Sequence, residues 1–227
     1  RVISTASASA DGGLTWRQVS PPVAPYQFSG DPALAFDADG RLYFASIADH
    51  EGPGGPFTAP SVIVATSDDG GLTWSRPVTV APGQGAVAGR APNLVFQDKE
   101  YVAADAFAAS PFRNRVYVSW TSFQERRVPP VSRSPILVSW SDDGRTWSRP
   151  STLVENAAKM NVMSVSLLRL QSGEIALAYM FKDSQADCSI LFRTSGDEAR
   201  TFSEPTKITP TRSFWVHNND RLVQLRS

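Results

Sequence analysis

The chain has little of the chemistry that would tie it to metals, disulfides or charged polymers. It contains a single cysteine, Cys188, which excludes a disulfide framework and a thiolate metal site. Its two histidines, His50 and His217, lie far apart and lack the spacing of metal ligands. The 22 basic residues balance the 22 acidic residues, and no apolar run approaches the roughly 18 residues that a membrane span requires. We therefore expect no metal, no cofactor, no nucleic-acid groove and no membrane span.

A long helical pattern is also missing. No stretch shows apolar residues at the 3.6-residue period over a length that would indicate a major helix. Instead, runs rich in β-branched and aromatic residues are bounded by turn residues, as in SVIVATS (61–67), PILVSWS (135–141) and CSILFRTS (188–195). The pattern predicts an all-β chain.

One phrase is repeated four times along the sequence. It reads SADGGLTW at 9–16, SDDGGLTW at 67–74, SDDGRTW at 141–147 and SGDEARTF at 195–202. Successive copies begin 58, 74 and 54 residues apart. A period of this size indicates one β unit copied along the chain, with loop insertions that lengthen it.

Each copy of the phrase contains residues suited to a tight turn. The aspartate can accept hydrogen bonds from backbone N–H groups two residues on, and glycine supplies a positive φ. The aromatic residue that follows is large enough to anchor the turn against a sheet. We expect these structural roles for eight residues: Asp11, Trp16, Asp69, Trp74, Asp143, Trp147, Asp197 and Phe202.

The repeated phrase resembles the Asp-box, also called the bacterial neuraminidase repeat, which marks sialidases and several unrelated β-propellers. The stretch 161–227 resembles bacterial sialidase-like glycosyl hydrolases, and 98–123 resembles secreted Asp-box proteins more generally. The resemblance implies a β-propeller of four-stranded antiparallel blades. In that family the box joins the third and fourth strands of a blade, on the face opposite the active site.

The resemblance also suggests how the chain is divided. We expect one propeller domain over 1–227, with full blades at about 31–80, 91–154 and 161–208 and partial blades at 1–20 and 214–227. Sialidases that resemble this chain have six blades and a longer chain. We therefore expect a portion of a six-bladed sialidase fold, or a truncated gene.

Candidate substrate-binding residues follow from the family's use of three arginines to clamp the carboxylate of a sialic acid. A guanidinium matches a carboxylate in bidentate geometry and stays charged at any working pH. The densest polar cluster of the chain lies at 212–221. The candidates are Arg212, Arg221, Arg90, Arg126, His217, Asn219 and Asp220.

Candidate catalytic residues are harder to choose from the sequence. Sialidases resembling this fold use a tyrosine nucleophile with a glutamate beside it and an aspartate as acid/base. The chain has no Phe/Tyr-Arg-Ile-Pro segment, and nothing in the sequence pairs a tyrosine with a particular glutamate. We name Asp49, Asp31 and Tyr26 as candidates, and we expect Tyr43, Tyr117 and Tyr179 to be packing residues.

Three functional hypotheses remain open from the sequence. The first is a sialidase-like glycoside hydrolase of the exo-α-sialidase type, or a portion of one, acting on sialic acid or a related acidic sugar. The second is a non-catalytic Asp-box propeller that binds a glycan or a protein. The third is an inactive scaffold fragment. We expect sialic acid or a related glycan as a partner, and a secreted, periplasmic or extracellular protein of bacterial origin.

Overall fold

A computed structural model describes residues 3–50, 59–85, 93–127, 130–219 and 222–225. Over these ranges the chain contains strands and no helix, and therefore no helix that could cross a membrane. The all-β prediction is confirmed. The strands are β1 (Ala6–Ala8), β2 (Arg17–Val19), β3 (Phe28–Phe36), β4 (Leu42–Asp49), β5 (Ser61–Ser67), β6 (Val78–Ala81), β7 (Asn93–Ala104), β8 (Val116–Arg127), β9 (Pro130–Arg133), β10 (Ile136–Ser141), β11 (Ser151–Val154), β12 (Asn161–Arg169), β13 (Ile175–Ser184), β14 (Asp187–Ser195) and β15 (Thr206–Lys207).

The strands form three large antiparallel sheets and one hairpin. The first sheet has the order β3-β4-β5-β6, the second β7-β8-β10-β11, and the third β12-β13-β14-β15. In the second sheet, β9 forms an additional pair with the end of β8. Strands β1 and β2 pair only with each other among the described residues. In each large sheet, successive strands of the main path are neighbours, which is the arrangement of a meander.

Apolar residues hold the three large sheets face to face. Between the first and second sheets, Val62 and Val64 pack with Val102, Val116 and the fully buried Trp120. A second cluster joins the second and third sheets through residues such as Ile136 and Leu177. Strands β4 and β5 are buried along their whole length because they have neighbours on both faces. The core therefore lies between the sheets, and each sheet supports the next.

The four repeat turns share one hydrogen-bond pattern. In each turn an aspartate Oδ1 accepts the backbone N–H of a threonine, at 2.9 Å for Thr15, 2.8 Å for Thr73, 2.7 Å for Thr146 and 2.8 Å for Thr201. The threonine hydroxyl donates to the other carboxylate oxygen of the same aspartate. Each carboxylate therefore closes its own turn between two strands.

These hydrogen bonds make the repeat turns sensitive to acid. The threonine hydroxyl contributes most to lowering the pKa of Asp11, Asp69 and Asp197 to about 2, and the backbone N–H of a threonine contributes most to lowering the pKa of Asp143 to about 2. A pKa that is lower in the folded than in the unfolded chain stabilises the fold above the unfolded value of 3.8. This stabilisation is lost as the pH falls toward 2.

We therefore expect the melting temperature to fall steeply between about pH 4 and pH 2, and Asp69→Asn to make that fall shallower. Thermal unfolding followed by circular dichroism at half-unit pH steps measures both effects. Thr73→Val is the matched variant, because it removes the hydroxyl that donates to the Asp69 carboxylate and keeps the backbone N–H that also donates to it. Equal slopes for the wild type and Asp69→Asn would contradict the role of the carboxylates in the turns.

The aromatic residues of the turns do not all pack alike. Trp74 lies edge-on to Phe44, with ring centroids 5.9 Å apart, while Trp147 and Phe202 pack against the two clusters between the sheets. Trp16 is 65% exposed, and its Nε1 donates to Gly13 O within its own turn. Among the described residues β1 and β2 have no further strand beside them, and Trp16 packs on no sheet there.

One turn glycine lies against the neighbouring sheet. A Cβ at Gly144 would lie 2.7 Å from Thr66 Cγ2 and 2.9 Å from Tyr43 Cε1, and φ is +71°. Tyr43 cannot easily move, because it is buried and its hydroxyl donates to Asp37. Gly70 also directly follows the aspartate of its own repeat, at φ +72°, and a Cβ there would meet no atom within 4 Å. The two glycines thus share a backbone requirement but differ in available space.

We expect Gly144→Ala to destabilise the protein by about 1–3 kcal/mol more than Gly70→Ala. Gly70→Ala reports the backbone cost alone, about 1–2 kcal/mol for a left-handed residue. Urea unfolding of the two variants measures the difference directly. Equal losses of stability would show that the second sheet's turn does not press against the first sheet.

Candidate functional site

The first strand of each large sheet is interrupted at one place. The register of β3, β7 and β12 with the next strand shifts there, and one residue at each interruption has a left-handed backbone. These residues are Asp31 (φ 47°), Lys99 (φ 53°) and Ser164 (φ 57°). Such φ values are uncommon outside glycine, and β-bulges of this kind re-aim side chains.

Two of the bulge residues line a cavity of about 510 Å³. Lys99 Nζ lies 2.8 Å from Asp31 Oδ2, so an ion pair links the first strands of two different sheets. The lysine side chain is 30% exposed and the aspartate side chain 38%. The volume falls within the range of small-molecule sites. The cavity is lined by Thr5, Ala6, Ser7, Asp31, Pro32, Ala33, Leu34, Phe44, Lys99, Tyr101, Asn218 and Asn219.

The charged groups beside the cavity influence one another. Burial by itself would lower the pKa of Lys99, but the hydrogen bond and the charge of Asp31 outweigh it, and the pKa is raised. Burial raises the pKa of Asp98, with Lys99 acting in the opposite direction and Asp31 adding to the rise. Lys99 therefore keeps its positive charge next to several acidic groups.

Glu100 is the most unusual residue near the cavity. Its side chain is fully buried, and neither carboxyl oxygen has a hydrogen-bond partner among the described residues. Burial raises its pKa well above the ordinary value, which favours the neutral acid. Asn219 Nδ2 donates to the backbone oxygen of Glu100 at 2.6 Å, which ties the C-terminal segment to β7. A fully buried carboxyl group therefore lies between two residues of the cavity wall in sequence, Lys99 and Tyr101.

Two of the three catalytic candidates lie away from this cavity. Asp49 is buried, and its carboxylate accepts the backbone N–H groups of His50 at 2.8 Å and Ala59 at 3.0 Å. The ring centroids of Tyr26 and His50 lie 4.7 Å apart with the planes tilted by 33°, and the Tyr26 hydroxyl lies 2.7 Å from Thr79 Oγ1 on β6. Only Asp31 of the three lines the cavity. The geometry gives Asp49 and Tyr26 contacts that order the ends of β4 and β6.

The substrate-binding candidates are also dispersed. Asn219 lines the cavity, and His217 Nε2 lies 3.4 Å from Ser166 Oγ on β12. Arg212 pairs with Asp187 at 2.7 Å on the surface of the third sheet, where the arginine side chain is 81% exposed. The backbone of Arg126 lies in β8 opposite Asn93. The remaining candidates, Arg90, Asp220 and Arg221, lie outside the described residues.

A tyrosine–glutamate pair does occur, but it lies at the end of the sheets that carries the repeat turns. Tyr117 Oη donates to Glu198 Oε2 at 2.6 Å, and Arg169 binds both oxygens of Glu198 at 2.6 and 2.7 Å. Arg169 also pairs with Asp105 at 2.9 Å, and both of these side chains are buried. The adjoining space is only about 20 Å³, too small for a sugar.

One member of this network, Glu198, takes the position in the fourth repeat turn that a glycine takes in the other three. Glu198 stands where the second repeat has Gly70, and it keeps a left-handed backbone with φ 60°. Burial alone would raise its pKa, but the hydrogen bonds from Arg169 and Tyr117 outweigh burial and the pKa is lowered. The network therefore joins the second sheet to the third sheet and its turn.

Sequence reasoning missed Lys99 and Glu100. The available signal was the triplet Asp98-Lys99-Glu100 in the middle of a strand, because charged residues are depleted in strand interiors. It also missed Glu198, whose signal was a glutamate at a turn position that glycine normally fills. Among the described residues, no group of three or more histidine, cysteine, aspartate or glutamate side chains could hold a metal ion.

Comparison with known proteins finds similarity in structure alone. No protein family and no curated protein matches the sequence. An α-L-arabinanase from Penicillium chrysogenum, solved with arabinobiose, matches 87% of this chain with a TM-score of 0.63 and 17% identity. The Hadza microbial sialidase Hz136 matches 75% (TM-score 0.57, 16% identity), and the NanB sialidase of Streptococcus pneumoniae matches 83% (TM-score 0.59, 9% identity).

The chain spans 56%, 36% and 45% of the lengths of those three proteins, respectively. At these identities the likeness shows the fold and not the substrate. The chain has a sialidase-like fold of the kind found in propeller glycoside hydrolases.

Proposed function

We propose that the chain is a portion of a sialidase-like glycoside hydrolase and that the cavity beside Asp31 and Lys99 holds the terminal acidic sugar of a glycan. The observation that carries this proposal is the cavity itself, which combines a carboxylate, an ammonium group and two side-chain amides within about 510 Å³. Carbohydrate sites need a few polar groups placed on a rigid framework, and the bulged first strands supply that framework. The matched structures, which include sialidases and an arabinanase, support a glycan as the ligand.

Asp31 is the proposed acid/base. It lines the cavity and is partly exposed, so its carboxylate can reach a glycosidic oxygen in a bound sugar. Tyr101 replaces Tyr26 as the proposed nucleophile, because Tyr101 lines the cavity and Tyr26 does not. A tyrosine nucleophile is an established exception among glycosidases. Asn218 and Asn219 are the proposed hydrogen-bonding partners of the sugar hydroxyl groups.

The architecture that accompanies this function is also a proposal. The three large sheets correspond to three propeller blades, and the β1–β2 hairpin corresponds to the outer strands of a further blade. The short segment after Phe214, which contacts β14 by a parallel bridge at Cys188, begins another blade strand in this scheme. We propose that the protein acts on glycans outside the bacterial cell.

One observation favours a second candidate, a propeller that binds a glycan without cleaving it. The tyrosine–glutamate pair that a sialidase needs occurs among the described residues at Tyr117 and Glu198, neither of which lines the cavity. No arginine lines the cavity among the described residues. In this second candidate the cavity holds an acidic sugar, and Tyr101 does not act as a nucleophile.

Release of a fluorogenic aglycone distinguishes the two candidates. The purified chain is incubated with an α-sialoside and, separately, with an α-L-arabinofuranoside, and sialic acid binding is measured in parallel. We expect turnover of the α-sialoside, reduced about 10²–10⁴-fold by Asp31→Asn and unchanged by Asp187→Asn. Binding without turnover would favour the second candidate. Absence of both binding and turnover would contradict the proposed function.

A further inference from the structure

We infer that Lys99 is the residue that recognises the carboxylate of the acidic sugar. In the free protein the Asp31 carboxylate pairs with the Lys99 ammonium group, and the sugar carboxylate displaces it on binding. This inference rests on the proposed function, since it assigns the acidic specificity of that same cavity to one side chain. It replaces the expected arginine clamp with a single lysine. It also means that the Asp31–Lys99 ion pair serves to be exchanged for a pair between Lys99 and the sugar, and not to stabilise the fold.

The first support is the position of the charges. Lys99 is the only lysine or arginine among the described residues that lines the cavity. Several arginines elsewhere already have carboxylate partners: Arg41 with Asp68, Arg115 with Asp142, and Arg212 with Asp187. A carboxylate that enters the cavity therefore meets one cation within the described part of the chain.

The second support is the weakness of the pair that the sugar must replace. Both side chains are about one-third exposed, and ion pairs of this kind contribute little to stability. A sugar carboxylate bound at the same ammonium group would therefore lose little by displacing Asp31. The ion pair joins two side-chain atoms, Lys99 Nζ and Asp31 Oδ2, so breaking it requires side-chain movement.

The third support is the state of the neighbouring acids. Asp98 and Glu100 flank Lys99 in sequence, and burial raises the pKa of each. The carboxyl oxygens of Glu100 have no partner among the described residues, so they do not bind the ammonium group of Lys99. The carboxylate that does bind it is that of Asp31. Displacement would also release the Asp31 carboxylate beside the bound sugar, where the proposed acid/base is needed.

A matched pair of ligands tests the inference. The methyl α-glycoside of N-acetylneuraminic acid carries the carboxylate, and its methyl ester keeps nearly the same shape without the charge. Calorimetric titration should show that the acid binds about 10–100-fold more tightly than the ester, as expected for one hydrogen bond to a charged group. Lys99→Met should abolish this preference, and Lys99→Arg should retain it.

Asp31→Asn provides an independent readout. Removing the competing carboxylate should tighten binding of the acid by up to about fivefold and leave binding of the ester unchanged. Lys182→Met is the matched control, because Lys182 lies over the Phe214 ring and does not line the cavity. Thermal unfolding of every variant checks that it is folded, and the Asp31→Asn titration decides the matter if the Lys99 variants do not fold.

The outcomes separate the inference from the proposed function. Equal affinity of the wild type for acid and ester, or an undiminished preference in Lys99→Met, would overturn the role of Lys99 while leaving a sugar site in place. Weaker binding of the acid by Asp31→Asn would overturn the exchange. Failure of the wild type to bind either compound would overturn the proposed function together with this inference.

Discussion

Replacing Arg169 by methionine is expected to lower the free energy of unfolding by about 3–5 kcal/mol, as is typical when one partner of a buried ion pair is removed. Arg169 is 8% exposed and binds two carboxylates, those of Asp105 and Glu198. The Asp105 side chain is 1% exposed, so water cannot solvate its carboxylate when the guanidinium is lost. The Tyr117 hydroxyl would remain as a donor to Glu198, but a hydroxyl does not neutralise a carboxylate.

Chemical denaturation of Arg169→Met and Arg212→Met measures this effect against a matched control. Arg212 also pairs with an aspartate at 2.7 Å, but its side chain is 81% exposed, so its loss should cost only about 0–1 kcal/mol. The comparison holds the chemical change constant and varies the burial. Similar losses in the two variants would show that the network at the turn end does not join the sheets as described.

Replacing Glu100 by glutamine is expected to remove a large pH dependence of stability. The carboxyl group is fully buried and has no partner among the described residues, and its pKa in the folded protein is well above the ordinary 4.5. At a pH between the pKa of Glu100 in the unfolded chain and its higher pKa in the folded chain, the unfolded chain loses a proton that the folded chain retains. Stability should therefore be greatest below the unfolded pKa and fall by about 1.4 kcal/mol per pH unit as the pH rises toward the folded pKa.

Denaturant unfolding at pH values from about 5 to 8 tests this expectation. The wild type should lose stability with increasing pH, while Glu100→Gln should be nearly independent of pH and more stable than the wild type at the upper end of this range. Asp31, Asp98 and Lys99 contribute to the electrostatic environment of this carboxyl group and remain in both proteins. A glutamine variant that is less stable at every pH would mean that the carboxylate has a partner that stabilises its charge.

The strands and turns of this fold are readable from the sequence because they depend on neighbours along the chain. The turn hydrogen bonds join residues three or four apart, such as Asp69 and Thr73, and the fully buried β5 is a continuous run of small and β-branched residues. The residues of a turn do not reveal whether its aromatic side chain has a sheet to pack against. Trp16 and Trp74 occupy the same place in their repeats, yet Trp16 is largely exposed and Trp74 packs on Phe44.

The cavity is harder to predict because its parts are brought together by the stacking of sheets. Asp31 and Lys99 are 68 residues apart and meet where β3 and β7, each with a bulge, lie beside each other. A bulge at a non-glycine residue leaves no clear mark in the sequence. Asp49 differs from Asp31, because its carboxylate accepts the backbone N–H groups of His50 and Ala59 and does not line the cavity.

The most direct test of the central claim is an NMR titration that follows the side-chain amides of Asn218 and Asn219 while N-acetylneuraminic acid is added. Single Asn→Gln variants assign the two signals, and Asn114, which lies in the β7–β8 connection at the turn end of the second sheet, provides a reference amide. We expect saturable shifts of the Asn218 and Asn219 signals and none at Asn114. Unchanged Asn218 and Asn219 signals at saturating sugar would contradict a sugar site in this cavity.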